Sequence, residues 1–170
     1  MNSTRRYTII ILAALLLAGS GFAESNIDPD KAFAWGENIG WINLYADGDN
    51  GVVVTDTYLS GFAWGENVGW IWFGGVPDDG AVYTQEAGDT GVNNDGNGNL
   101  SGFGWGENIG WINFDTSSVA GPDGQVTINM DTGEFSGFAW SESTGWINFG
   151  HDYGVSFFPE TAIADWMLLE

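Results

Sequence analysis

Apolar and polar positions alternate in short runs along this chain, and one such run returns four times. The copies are Ala32–Leu44 (AFAWGENIGWINL), Gly61–Phe73 (GFAWGENVGWIWF), Gly102–Phe114 (GFGWGENIGWINF) and Gly137–Phe149 (GFAWSESTGWINF). Gly recurs inside every copy and no apolar stripe at i, i+3, i+4 appears, so the pattern is not helical. Aromatic and β-branched residues flanking a short polar stretch predict a β-hairpin, with Gly-Glu-Asn at its turn. The first Trp of each copy is Trp35, Trp64, Trp105 and Trp140, at spacings of 29, 41 and 35 residues. The motif is constant while the connections vary, as in a repeat fold whose insertions fall in surface loops.

In the second copy, pairing Trp64 with Gly69 across a loop of two or four residues sets Ala63 against Trp70, Phe62 against Ile71 and Gly61 against Trp72. Phe62, Trp64, Ile71 and Phe73 then form a core face, and Trp70 and Trp72 lie over small partners on the other. A slip of one residue would instead place Trp64 on Trp70. A further strand precedes most hairpins: Gly51–Thr55 before the second and Gln125–Asn129 before the fourth. It is weak before the third, where Val92 leads into the polar loop Asn93–Asn99. The first hairpin has none, but Tyr153–Phe157 is a strand with no hairpin after it. The expected fold is therefore all-β, four tandem Trp-rich units, closed by that last strand into a propeller- or barrel-like ring. An open sheet or β-sandwich is the alternative.

The ends differ from the repeats. Arg5 and Arg6, the 12 apolar residues Tyr7–Ala18, and Gly21-Phe22-Ala23 read as a secretory signal peptide over 1–23. The run is short for a membrane span. The β-repeat domain is then 24–158. In the tail, 159–170, Pro159 and the spacing of Ala162, Ile163, Trp166 and Leu169 predict a short helix.

Composition excludes several classes. The 170 residues include 27 Gly, 10 Trp, 11 Phe and no Cys, so disulfides and thiolate metal sites are out. Three basic residues oppose 23 acidic ones; beyond residue 23 only Lys31 is basic, a net charge of −22. Such a chain repels nucleic acid and anionic membranes and attracts cations.

The GFAWxExxGWIxF unit resembles a Trp-rich repeat of predicted secreted and surface proteins of bacteria. The resemblance covers nearly the whole chain after the leader. It implies a secreted repeat protein and carries no catalytic residue across, because that group has no assigned activity.

Four sets of residues bear on chemistry. His151 is the single His and has no counterpart in the other copies, which argues against a triad. Glu37, Glu66, Glu107 and Glu142 occupy one turn position in every unit; that equivalence points to a structural turn role, accepting amide or indole N–H groups, rather than to the paired carboxylates of a glycosidase. Asp89 with Asn93, Asp95 and Asn97, and the shorter Asp47–Asp49 loop, place oxygens as calcium loops do, though these are also ordinary turn residues. Finally, Trp41, Trp70, Trp111 and Trp146 stand two residues before Asn43, Trp72, Asn113 and Asn148. An aromatic plate beside an amide suits a pyranose ring; the competing expectation is that so many Trp must be buried between units.

The function expected is a secreted, non-catalytic module with a structural or adhesive role at the bacterial surface or matrix. A lectin-like carbohydrate-binding module is the first alternative and a secreted glycosidase the second. Expected partners are polysaccharide or other surface proteins, with no nucleic acid and no stable membrane insertion after leader cleavage. Calcium is the one cofactor the loops raise.

Overall fold

The computed structural model describes residues 24–121 and 124–159. The expected leader, and the segment from residue 160 onward for which a short helix is expected, lie outside the described residues. Four hairpins form the frame: β1 (Ile27–Gly36) with β2 (Gly40–Asn43), β4 (Tyr58–Gly65) with β5 (Gly69–Gly74), β7 (Leu100–Gly106) with β8 (Gly110–Asn113), and β11 (Phe138–Ser141) with β12 (Gly145–Asn148). Each hairpin pairs antiparallel with the next, and β12 pairs with β1 through Trp35–Asn148 and Gly36–Ile147. The result is a closed eight-stranded antiparallel barrel with no free edge.

The hairpin register departs from the first expectation by one residue. Trp64 faces Trp70, Ala63 faces Ile71 and Phe62 faces Trp72. The cause is the loop, which holds three residues rather than two or four. Val68 N–H donates to Gly65 O at 3.2 Å, and Gly69 follows in the left-handed region at φ +77°. Only a residue tolerant of positive φ can end this turn, so Gly recurs there as Gly40, Gly110 and Gly145. The odd loop length moves only the first strand to the other face: Phe62 and Trp64 point outward and Ala63 inward, while Ile71 and Phe73 are buried and Trp70 and Trp72 outward as expected.

The barrel interior is narrow and filled by alternation of small and branched residues. The facing pairs Ala34–Ile42, Ala63–Ile71, Gly104–Ile112 and Ala139–Ile147 are buried. Ile39, Val68, Ile109 and Thr144 are buried at the turn end. Toward the other end lie Leu44, Phe73, Phe114 and Phe149, with Phe114 in ring contact with both Phe73 and Phe149. A void sized for Ile against Ala cannot admit an indole, and none of the nine described Trp is buried. The expectation of a Trp-filled core is thus corrected to one of Ile, Val, Leu, Phe and Ala.

A second tier of strands extends the barrel. β3 (Val53–Val54) pairs with the first half of β4, and β6 (Val92–Asn94) joins β4 to β7. β9 (Thr127–Ile128) pairs with β10 (Phe135–Ser136), and exchanges bonds with the start of β7 through Leu100 N–H to Val126 O and Ile128 N–H to Gly98 O. β13 (Val155–Phe157) pairs with β1 and touches the fourth unit, where Phe157 N–H donates to Gly133 O at 3.0 Å. The last strand therefore fills the place of the missing first one. Asn26 ties β1 to β3, its side chain bonding both Val54 N–H and Val54 O. Where β4 passes from one tier to the other, its register shifts at Gly61, at φ +88°. A Cβ there would strike the Gly51 carbonyl, so Gly61 answers to backbone contact, not to a Trp72 ring above it. The short helix α1 (Ser117–Ala120) lies on the surface after β8.

Candidate functional site

The outer face of the lower tier is an aromatic belt. Each hairpin carries a facing Trp pair in edge-to-face contact: Trp35–Trp41 at 4.7 Å between ring centroids, Trp64–Trp70 at 5.0 Å, Trp105–Trp111 at 4.7 Å and Trp140–Trp146 at 4.8 Å. Phe33, Phe62, Phe103 and Phe138 each add an edge contact on the second Trp of the pair. Such pairs contribute about 0.5–1.5 kcal/mol each beyond area burial, so the belt also stabilises the hairpins. Register joins one pair to the next: Trp64 faces Asn43, Trp105 faces Trp72, Trp140 faces Asn113 and Trp35 faces Asn148. The belt is thus continuous around the barrel.

Its rings reach solvent. Trp111 is 50% exposed and Trp70 45%; Trp41, Trp72 and Trp146 are half-buried. The expected burial between units is overturned, because neighbouring hairpins lie side by side in one sheet rather than face to face. The first Trp of each pair, overlooked among the candidate plates, is on the same surface. A loop length of three, read with Gly after it, was the sequence signal for that.

The asparagines are less free than a sugar site asks. Asn43 Oδ1 accepts from Tyr45 N–H and Ala46 N–H. Asn113 Oδ1 accepts from Asp115 N–H, and its amide donates to Asp115 O. Asn148 Oδ1 accepts from Gly150 N–H. Each terminates its strand first and leaves amide hydrogens for anything else.

The belt opens into a groove of about 740 Å³ between the third and fourth hairpins. Trp105, Trp111 and Trp140 line it with Phe103, and Asn113 and Glu142 stand among its polar groups. Gln85, from the long segment between β5 and β6, forms part of its wall. Its backbone is left-handed at φ +66°, and its amide donates to Gly91 O at 2.9 Å. A second, smaller groove of about 330 Å³ gathers Trp35, Trp41, Asn148 and Tyr153 around His151. There His151 Nδ1 accepts from Tyr153 N–H, the place a triad carboxylate would take, and its ring rests on Trp41 at 5.3 Å.

The turn glutamates are exposed, and none accepts a hydrogen bond among the described residues. The tie expected of them belongs to the next residue. Asn38 donates to Thr144 O at 2.9 Å, Asn67 to Ile39 O and Asn108 to Val68 O at 3.0 Å, and Ser143 to Ile109 O. These bonds run turn to turn around the whole barrel mouth.

The acidic loops are folded on themselves. Asp89 is buried and accepts from Asp78 N–H, Thr84 N–H and the Thr84 hydroxyl; these bonds, that of Thr84 N–H first, hold its carboxyl below the usual range. Asn93 bonds Tyr83 N–H and O. Asp95 accepts from the Asn99 side chain and from Asn97 and Asn99 N–H, which lowers its pKa likewise. Asp47 caps Asn50 in the same way, and Asp49 and Asn97 are exposed. Among the described residues no three His, Asp or Glu gather at metal-binding distance. Asp47, Asp89 and Asp95 thus direct carboxylate oxygens to the amides of their own loops, the ordinary use of such residues in turns.

A closed barrel of four hairpin repeats wrapped by solvent-facing indoles is the class these features define. The chain matches no family model, no curated protein and no solved structure.

Proposed function

We propose that this chain is a secreted, non-catalytic binding module of the bacterial cell surface or matrix, adhesive through its aromatic belt, with a polysaccharide as its ligand class. The exposure of the belt supports this reading most directly. Contiguous exposed apolar surface is rare on a protein that has nothing to bind. Planar indoles with amides and carboxylates beside them suit the C–H face and hydroxyls of a sugar ring. The resemblance of the repeat to secreted and surface proteins of bacteria, and the leader-like N-terminus, agree with the location. The paired carboxylates of a glycosidase find no support in the groove, whose lining carries Glu142 alone of the acidic residues.

The test is retention on immobilised polysaccharides, paired with acrylamide quenching of Trp fluorescence. The expected outcome is strong quenching of the free protein, protection by ligand, and loss of retention in Trp111→Ala with its melting temperature lowered by only a few degrees. Weak quenching and no retention on any polysaccharide would leave the belt a purely structural device.

A further inference from the structure

The four junctions between neighbouring hairpins are equivalent by repeat but not by content. At the second, Trp72 replaces the asparagine found at the other three. At the fourth, the His151 ring rests against Trp41. The third keeps its asparagine, opens into the larger groove, and gains a wall from the Gln85 segment.

The charge of that groove is one-sided. Glu142 is exposed and carries no hydrogen bond or ion pair among the described residues. Lys31 is the one Lys or Arg among them, and it lies 3.4 Å from Glu134. Nothing on the described surface neutralises Glu142, and the chain as a whole carries −20. Indole faces present negative potential to a cation held over the ring. Three Trp and a free carboxylate therefore favour a ligand that combines an apolar ring face with a positive charge. A 2-amino-2-deoxy pyranose with its amine unacetylated has both. A neutral sugar would use the rings and leave the charge of the carboxylate unmatched; a uronic or sulfated sugar would be repelled.

We infer that the groove between the third and fourth hairpins is a subsite for an ammonium-bearing sugar residue, as in a de-N-acetylated amino-sugar polymer. Trp105, Trp111 and Trp140 take the ring, and Glu142 takes the ammonium. This rests on the carbohydrate reading above and narrows it to one junction and one ligand charge.

The experiment titrates Trp fluorescence with the tetramer of β-1,4-glucosamine and, separately, with its fully N-acetylated counterpart. The glucosamine tetramer is expected to bind more tightly, with an affinity that falls as salt is raised. Glu142→Gln should weaken it about tenfold, as expected for loss of a charge-assisted contact, and weaken the acetylated tetramer much less, because a Gln amide still bonds a hydroxyl. Glu142 bonds nothing, so this variant keeps the fold, which circular dichroism checks. Glu66→Gln, the same turn position in the second hairpin, should change affinity by less than about twofold. Equal affinity for the two tetramers would overturn the ammonium subsite and leave the carbohydrate reading standing. Binding of neither would remove both. Equal losses in Glu66→Gln and Glu142→Gln would replace the single subsite with diffuse attraction to an acidic surface.

Discussion

Tyr83 is buried, with its hydroxyl 2.8 Å from Gly75 O and 3.1 Å from Leu59 O. It pins the long segment after β5 back onto β4. Burial raises its pKa well above that of a free tyrosine, with Tyr58 and Asp89 adding to the effect. A group whose folded pKa is raised supports the fold fully below its unfolded value, about 10, and loses that support as pH climbs above it. Asp89 and Asp95 have the opposite sign: hydrogen bonds lower their folded pKa values, so their contribution stands above about pH 4 and fades as pH falls below it. Urea unfolding should therefore show a plateau of stability with an alkaline edge that belongs to Tyr83. Tyr83→Phe should cost about 1–3 kcal/mol at neutral pH, since two carbonyls lose their donor. It should also flatten the fall between about pH 9.5 and 11. A variant with the same alkaline edge as the parent would place the titrating group elsewhere.

At the scale of the hairpin, stability divides unequally between the two faces. The inner face is a packed column in which Ile112 is 2% exposed. The outer face holds Trp105 in its edge contact with Trp111, 39% exposed. Ile112→Ala removes buried methyl groups and leaves a cavity the closed barrel cannot collapse, at a cost of about 2–5 kcal/mol. Trp105→Ala loses a cross-strand pair and a half-exposed ring, about 1–2 kcal/mol, although the residue is much larger. Chemical denaturation of the two variants checks the order, and a larger loss from Trp105→Ala would return the indoles to the core. This ranking could not be drawn from the repeat alone. The repeat showed that hairpins exist and where they begin, and it raised a closed ring beside an open sheet. It left open whether Glu66-Asn67 or Glu66-Asn67-Val68 makes the turn, and one residue of loop moves the side chains of the strand before the turn to the other face relative to the strand after it. The binding candidates were legible for the same reason in part. Trp70 and Trp111 face outward in either register, whereas Trp64 and Trp105 change sides with it. The groove itself was not legible, because it depends on which hairpins become neighbours and on where the Gln85 segment lands. Those are facts of three-dimensional closure rather than of local pattern.

Closure also decides how the whole molecule unfolds. An open row of repeats loses its units one by one, since each touches only its neighbours. Here both tiers return to their start: β12 on β1 below, and β13 between β1 and the fourth unit above. No unit is terminal, so none can fray without breaking the ring. Phe157 sits at that seam, 5% exposed, facing Ile27 in register and donating its N–H to Gly133 O. Phe157→Ala should cost about 3–5 kcal/mol, the usual loss for a large buried ring. The loss should fall on the molecule as one unit, although residue 157 lies far along the chain from the first hairpin. In both parent and variant, circular dichroism of the strands and fluorescence of the Trp belt should then trace one transition, with calorimetric and van't Hoff enthalpies in agreement. The variant's midpoint should simply be lower. If instead fluorescence split into two steps in Phe157→Ala, with the first and fourth hairpins melting early and the middle pair surviving, the barrel would be a solenoid held shut by a latch, and the reading of one cooperative ring would fail.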